Sequence, residues 1–192
     1  METNQCTQRK SNAEQQAHDG IFSELDLTHA LELKTRAVRG LEAAQRGYFS
    51  TRHKVGLERL GFSRSQSSVV SQNNPTLIIP VYNIDGEIRT YQMRPNRPRI
   101  GKNNKPRKYE MPAGGSMCLD IPNDPEKRRA LRSSHVPLFV TEGAFKVDSG
   151  GGVGILVIGV VGVDGWRGRN DVDGVTVLAE WEHISLGSGS KG

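Results

Sequence analysis

The stretch from Val136 to Val163 constrains the fold more than any other. An apolar, β-rich run, Pro137 to Val140, leads to a carboxylate, Glu142. Gly143 follows, where a tight turn needs a residue without a Cβ. Ala144 to Ser149 then has helical spacing, and a second apolar run, Ile155 to Val163, returns. Two continuous apolar runs around a helix-length segment predict a β-α-β unit with both strands buried. Glu142 then stands at the carboxyl end of its strand, the edge at which open α/β sheets bind ligands. The glycines at 150, 151, 152 and 154 do not form a dinucleotide fingerprint. Ile155 and Val157 break the G-x-G-x-x-G spacing, and these glycines precede a strand instead of joining a strand to a helix. They predict a loosened helix end, since each costs roughly 1 kcal/mol against alanine inside a helix.

From Arg94 to Lys108 the chain carries Arg94, Arg97, Arg99, Lys102, Lys105, Arg107 and Lys108, interrupted by Pro95, Pro98 and Pro106. The prolines exclude a helix and a central strand, so a mobile or extended basic loop is predicted. Like charges this dense repel unless something anionic neutralises them, and both arginine forks and lysine point charges suit phosphate oxygens. Tyr109 follows, able either to stack on a base or to cover core. The net charge of +5 fits a polyanion partner, although a solvated basic surface has the same charge. Cys6 and Cys118 make no CxxC and no Cys/His cluster, which argues against zinc. No run reaches the ~20 apolar residues of a membrane span, and no apolar signal core opens the chain. The expectation is a cytoplasmic protein with no membrane contact and no structural disulfide.

Residues 1–20 are nearly devoid of apolar side chains and predict a disordered tail. Residues 21–134 predict a helical and β-hairpin region. Asp26 or Thr28 caps a helix over Ala30 to Arg39, and a second helix runs from about Arg52 to Leu60. Arg46, Arg52, Lys54 and Arg59 either grip DNA or line the solvated faces of packing helices. Leu77 to Tyr82 and Ile88 to Met93 predict an antiparallel hairpin turned at Asp85-Gly86. Asp124 as cap with Pro125 behind it starts a short helix. Residues 135–186 hold the β-α-β unit, then a loop whose Trp166, Arg167 and Arg169 either touch a ligand or lie over the core. Residues 187–192 predict a flexible tail.

Leu138-Phe139-Val140-Thr141-Glu142-Gly143-Ala144-Phe145-Lys146-Val147-Asp148 resembles the first motif of the Toprim domain, shared by DnaG-type primases, topoisomerases and related nucleases. With Lys108-Tyr109-Glu110-Met111-Pro112 upstream and Gly162-Val163-Asp164-Gly165-Trp166-Arg167-Gly168 downstream, the order is similar to that in Toprim-containing, primase-like proteins of plasmids, phages and integrative elements. The resemblance spans roughly residues 47–186 and implies an α/β protein: a helical and hairpin region leading into an incomplete Toprim-type parallel sheet. It implies Mg²⁺-dependent phosphoryl transfer in mobile-element replication, with RNA primers as product. Glu142 would be the catalytic carboxylate and metal ligand, and Lys146 would meet a phosphate. Arg94, Arg97, Arg99, Lys102, Lys105, Arg107, Lys108, Tyr109, Arg167 and Arg169 would face single-stranded DNA or a DNA/RNA hybrid, with nucleotides and a replicative helicase as further partners. Toprim catalysis also needs an Asp-x-Asp pair on a later strand. Asp171-Val172-Asp173 has the letters but no apolar strand before it, so the chain is expected to be inactive alone. The alternatives are a catalytically dead nucleic-acid-binding fragment and a Toprim-type nuclease.

Overall fold

A computed structural model describes residues 25–101, 103–133, 135–162, 165–168 and 174–184. The expected terminal tails, Lys102, Arg169 and Asp171-Val172-Asp173 lie outside them. The described chain is a mixed α and β protein with small sheets.

Helix α1, Leu27–Thr35, begins where Asp26 accepts a hydrogen bond from the Thr28 amide at 3.1 Å. It ends four residues before the expected Arg39. Val38 donates to the Leu33 carbonyl at 3.0 Å and Ala37 to Lys34 at 3.0 Å, the two bonds of a Schellman closure. Ala37 takes the left-handed conformation at φ +58°, which costs a non-glycine residue about 1–2 kcal/mol. The compensation is burial of Leu33 and Val38 in one apolar cluster. Helix α2, Gly40–Arg46, follows.

Strands β1, Phe49–Thr51, β2, Thr76–Tyr82, and β3, Ile88–Pro95, form an antiparallel sheet in that order. The hairpin forms where Asp85-Gly86 predicts it. The Asn83 side chain accepts from the Asp85 and Glu87 amides at 3.0 and 2.9 Å, and Gly86 takes φ +84°. Every residue of β2 is buried. Leu77 and Ile79 join the cluster of α1 and α2, while Ile78 joins Met93 and Leu57 on the other face, which is the period-2 alternation of a strand. Leu57 belongs to α3, Lys54–Arg59, and a short α4, Arg64–Ser67, follows with a Ser63–Gln66 capping box.

The second sheet has the order β4, Leu119–Asp120, then β6, Leu156–Val160, then β5, Leu138–Glu142. Helix α5, Pro125–Ala130, starts with Asp124 as cap, as expected. Strands β5 and β6 are parallel, with Leu138 opposite Leu156 and Glu142 opposite Val160. They are joined by α6, Ala144–Gly152. Gly150, Gly151 and Gly152 form the last turn of that helix, and Gly154 lies just beyond its cap at Val153. A Cβ on Gly150 would stand 2.7 Å from Val157 Cγ2, so the missing side chain is what lets the helix lie close on β6.

The expectation that both strands are buried needs correcting. Strand β6 is buried, but Phe139 and Val140 of β5 are 56% and 50% exposed. Among the described residues β5 pairs with β6 alone, and an edge strand has no neighbour to cover its outer side. Strands β7, Arg167–Gly168, and β8, Thr176–Val177, form a small ribbon before a 3₁₀ turn, Ala179–His183.

One buried cation ties these parts together. Arg46 is 1% exposed. Its guanidinium donates to both Asp148 carboxylate oxygens at 2.7 Å, to Asp120 Oδ1 at 2.6 Å and to the Pro80 carbonyl at 3.0 Å. Tyr48 donates to Asp148 Oδ2 at 2.5 Å. The cluster joins α2, β2, β4 and α6. Arg46 is therefore not a DNA-gripping residue, because its donors point inward at four protein acceptors. Asp148 faces this cluster instead of the end of β5.

Burial in the second sheet also sets the chemistry of Cys118, whose thiol is pushed up to about 12 by burial above all, with Glu180 and Asp120 adding to it. Thiolate is the reactive form. In a Cys6→Ser background, Cys118 is expected to ignore Ellman's reagent at pH 8 and to react fully once urea unfolds the chain. Rapid reaction without denaturant would contradict its placement.

Candidate nucleotide and phosphate cleft

The carboxyl end of β5 opens into a cleft of about 720 Å³ between the β-α-β unit and the end of the first sheet. Gly143 makes the turn into α6 at φ +88°, and Glu142 before it is exposed. Lys146 stands one turn into the helix, its amide bonded to the Gly143 carbonyl at 3.1 Å. Phe145 between them is buried and forms the floor.

The facing wall comes from the basic segment, which folds back on itself. Gly101 donates to the Lys105 carbonyl at 2.8 Å and Arg107 to Arg99 at 2.9 Å. Glu110 then pairs with Met93 of β3 through two backbone hydrogen bonds, 2.8 and 3.1 Å. This pairing carries Arg107, Lys108 and Tyr109 across to Glu142 and Lys146.

The structure sorts the sequence-predicted residues. Glu142, Lys146, Arg94, Arg107, Lys108 and Tyr109 line one cleft. Arg99 does not line it. Its guanidinium grips the buried Glu110, with Nε 2.8 Å from Oε1 and a second, shorter bond beside it. That pairing helps raise the Arg99 pKa. Arg97 and Lys105 are exposed outside the cleft. Arg167 lies over the Trp166 ring at 4.7 Å from its centroid, also away from the cleft lining. Lys102 and Arg169 lie outside the described residues.

Arg94 has a double role. Glu32 of α1 holds its guanidinium with two hydrogen bonds, one at 2.8 Å, and the guanidinium lies over the Tyr109 ring at 4.8 Å. Burial works against the charge on Arg94, but Glu32 and Tyr109 outweigh it and hold its pKa above the usual value. Glu32 and Arg36 are the cleft-building residues that sequence reasoning missed. Their only local signal is an i,i+4 pairing on α1, here a loose 3.9 Å contact, which reads as a solvated helix face. Arg36 nevertheless lines the cleft.

Among the described residues, no ion pair within 4 Å engages Arg107, Lys108, Lys146 or Glu142. The cleft therefore offers three uncompensated cations beside one free carboxylate, a charge balance that suits an anion. Among the described residues no three His, Cys, Asp or Glu side chains gather into a metal-binding group, and Glu110 is committed to Arg99. Mg²⁺ keeps most of its waters and binds through one or two carboxylates together with substrate phosphates. Among the described residues that line the cleft, Glu142 is the carboxylate not held by an arginine.

Compared with models of known protein families, with curated proteins and with solved structures, the chain matches none. Among the described residues no helix is long and apolar enough to cross a membrane.

Proposed function

We propose that this chain binds nucleic acid through the cleft at the end of β5, as a primase-like, Toprim-related protein of mobile-element replication. The observation that carries the reading is the meeting of Arg107, Lys108 and Lys146, free of ion pairs among the described residues, around the strand-end carboxylate Glu142. Supporting it, the Glu-Gly motif sits at the turn from a parallel strand into a helix, where an incomplete Toprim-type sheet would carry its first motif. In the full activity that the resemblance implies, Mg²⁺-dependent phosphoryl transfer, Glu142 would take the metal or the proton. Among the described residues the other carboxylate of the cleft, Glu110, is held by Arg99, which supports a binding role.

The three cations act as phosphate ligands. Each single-strand phosphate contact contributes about 0.7 to the slope of log K against log salt. The Arg107→Ala/Lys108→Ala/Lys146→Ala variant is therefore expected to lose at least about ten-fold in affinity for a labelled 12-mer of single-stranded DNA at low salt. Its salt slope should also shrink by about 2. Fluorescence anisotropy across a salt series reads both. An unchanged slope would remove the cleft from the interface. Arg99 is unsuitable for this test, since its loss would strip buried Glu110 of its partner.

A further inference from the structure

Tyr109 is built as a stacking platform. The Arg94 guanidinium lies over its ring at 4.8 Å from the centroid. Phe145 meets it nearly perpendicular, at 71° and 6.2 Å. Both supports are themselves held: Arg94 by the Glu32 carboxylate from α1, and Phe145 by burial against Tyr48, 5.9 Å away. Yet Tyr109 remains 41% exposed. With a cation against one face and an aromatic neighbour at an angle, part of the ring is left open to solvent. A tyrosine that merely covered core would turn a face to the core, and here a charged, hydrogen-bonded guanidinium occupies that place.

Resting on the proposed phosphate-binding role of the cleft, we infer that the open face of Tyr109 takes one unpaired nucleobase while Arg107 and Lys108 take the phosphates beside it. Three consecutive residues thus read one nucleotide unit. A cation on the far side of the ring rigidifies the platform, and base–aromatic stacking is tolerant of sequence because every base has a π-face. Duplex DNA keeps its bases stacked and hidden, so the site selects unpaired nucleic acid without selecting its sequence. The same chemistry can come from a strand or from a free nucleotide.

The test compares three ligands on the intact chain by anisotropy: labelled dT12, a labelled abasic 12-mer with the same phosphates, and dTMP as competitor. The parent is expected to bind dT12 at least about five-fold more tightly than the abasic strand, the lower bound for one stacked base. Tyr109→Ala should bring dT12 down to the abasic level and leave abasic binding unchanged, whereas Tyr109→Phe should keep the parent preference. Competition by dTMP that vanishes in Tyr109→Ala assigns the site to a free nucleotide, and its absence assigns it to a strand. Equal binding of dT12 and the abasic strand by the parent overturns stacking while leaving the phosphate reading intact, and this needs no variant. Loss of abasic binding in Tyr109→Ala also overturns it, by giving Tyr109 a merely structural role. Salt-dependent binding of neither strand overturns both readings together.

Discussion

Replacing Arg46 with alanine is expected to cost about 3–5 kcal/mol, the usual penalty for breaking a buried ion pair, out of a total stability of roughly 5–15 kcal/mol. The loss exceeds that of a surface pair because no water replaces the guanidinium. Asp148 would lose two charge-assisted bonds and Asp120 one. Urea unfolding followed by circular dichroism reads the effect, and a midpoint equal to that of the parent would sink it. A pH series sharpens the test. Burial is the main influence on Asp120 and raises its pKa above the ordinary 3.8, against the pull of Arg46. A carboxyl with a raised folded pKa holds its proton more tightly in the fold than in the unfolded chain. Acidification toward 3.8 therefore adds stability through this group, and rising pH removes it. Without Arg46 the shift grows, so the Arg46→Ala variant should recover part of its stability as the pH falls from neutrality toward 3.8. A triple change that also makes Asp120 and Asp148 into asparagine should recover more, because no buried charge remains unpaired.

Ile158→Asp is the second large effect. Ile158 is fully buried on the central strand of the second sheet and packs in the cluster with Leu119, Ile121 and Leu131. An aspartate there has no cation to meet and must either ionise in an apolar core or take up a proton, each costing several kcal/mol. The variant should show no cooperative thermal transition near that of the parent. The control lies one strand away. Phe139 is on β5 of the same sheet but 56% exposed, so Phe139→Asp should shift the melting temperature by only a few degrees, as surface changes of about 0.5 kcal/mol do. Equal melts for Ile158→Asp and the parent would refute the burial of β6. Collapse of Phe139→Asp would show that the outer side of β5 is covered.

Sequence alone determined the features that rest on near neighbours. The segment from Asn83 to Gly86 set the hairpin turn, because its geometry needs Gly86 at positive φ and the Asn83 side chain to accept from the turn amides. Asp124 with Pro125 set a helix start, through a cap that reaches only two or three residues. Two apolar runs around a helix-length segment set the strand, turn and helix at Glu142. The basic segment showed its charge but not how that charge is spent. Arg99 and Arg107 read alike in the chain, yet Arg99 is neutralised by Glu110 and Arg107 lines the cleft. Only the tertiary structure decided that, and it decided the larger surprises too. Arg46 looks like any helix-end arginine, and its partners Asp120 and Asp148 lie 74 and 102 residues away, beyond the reach of any local pattern. Helix α1 stops early because Val38 gains more by joining Leu33 in the core than Ala37 loses in a left-handed turn. Gly150 at the end of α6 marks a close approach to Val157 that no local pattern shows. Exposure of β5 depends on which strand stands beside it. Local propensity acts through backbone sterics and capping within a turn or two, whereas burial and ion pairing depend on which distant surfaces meet.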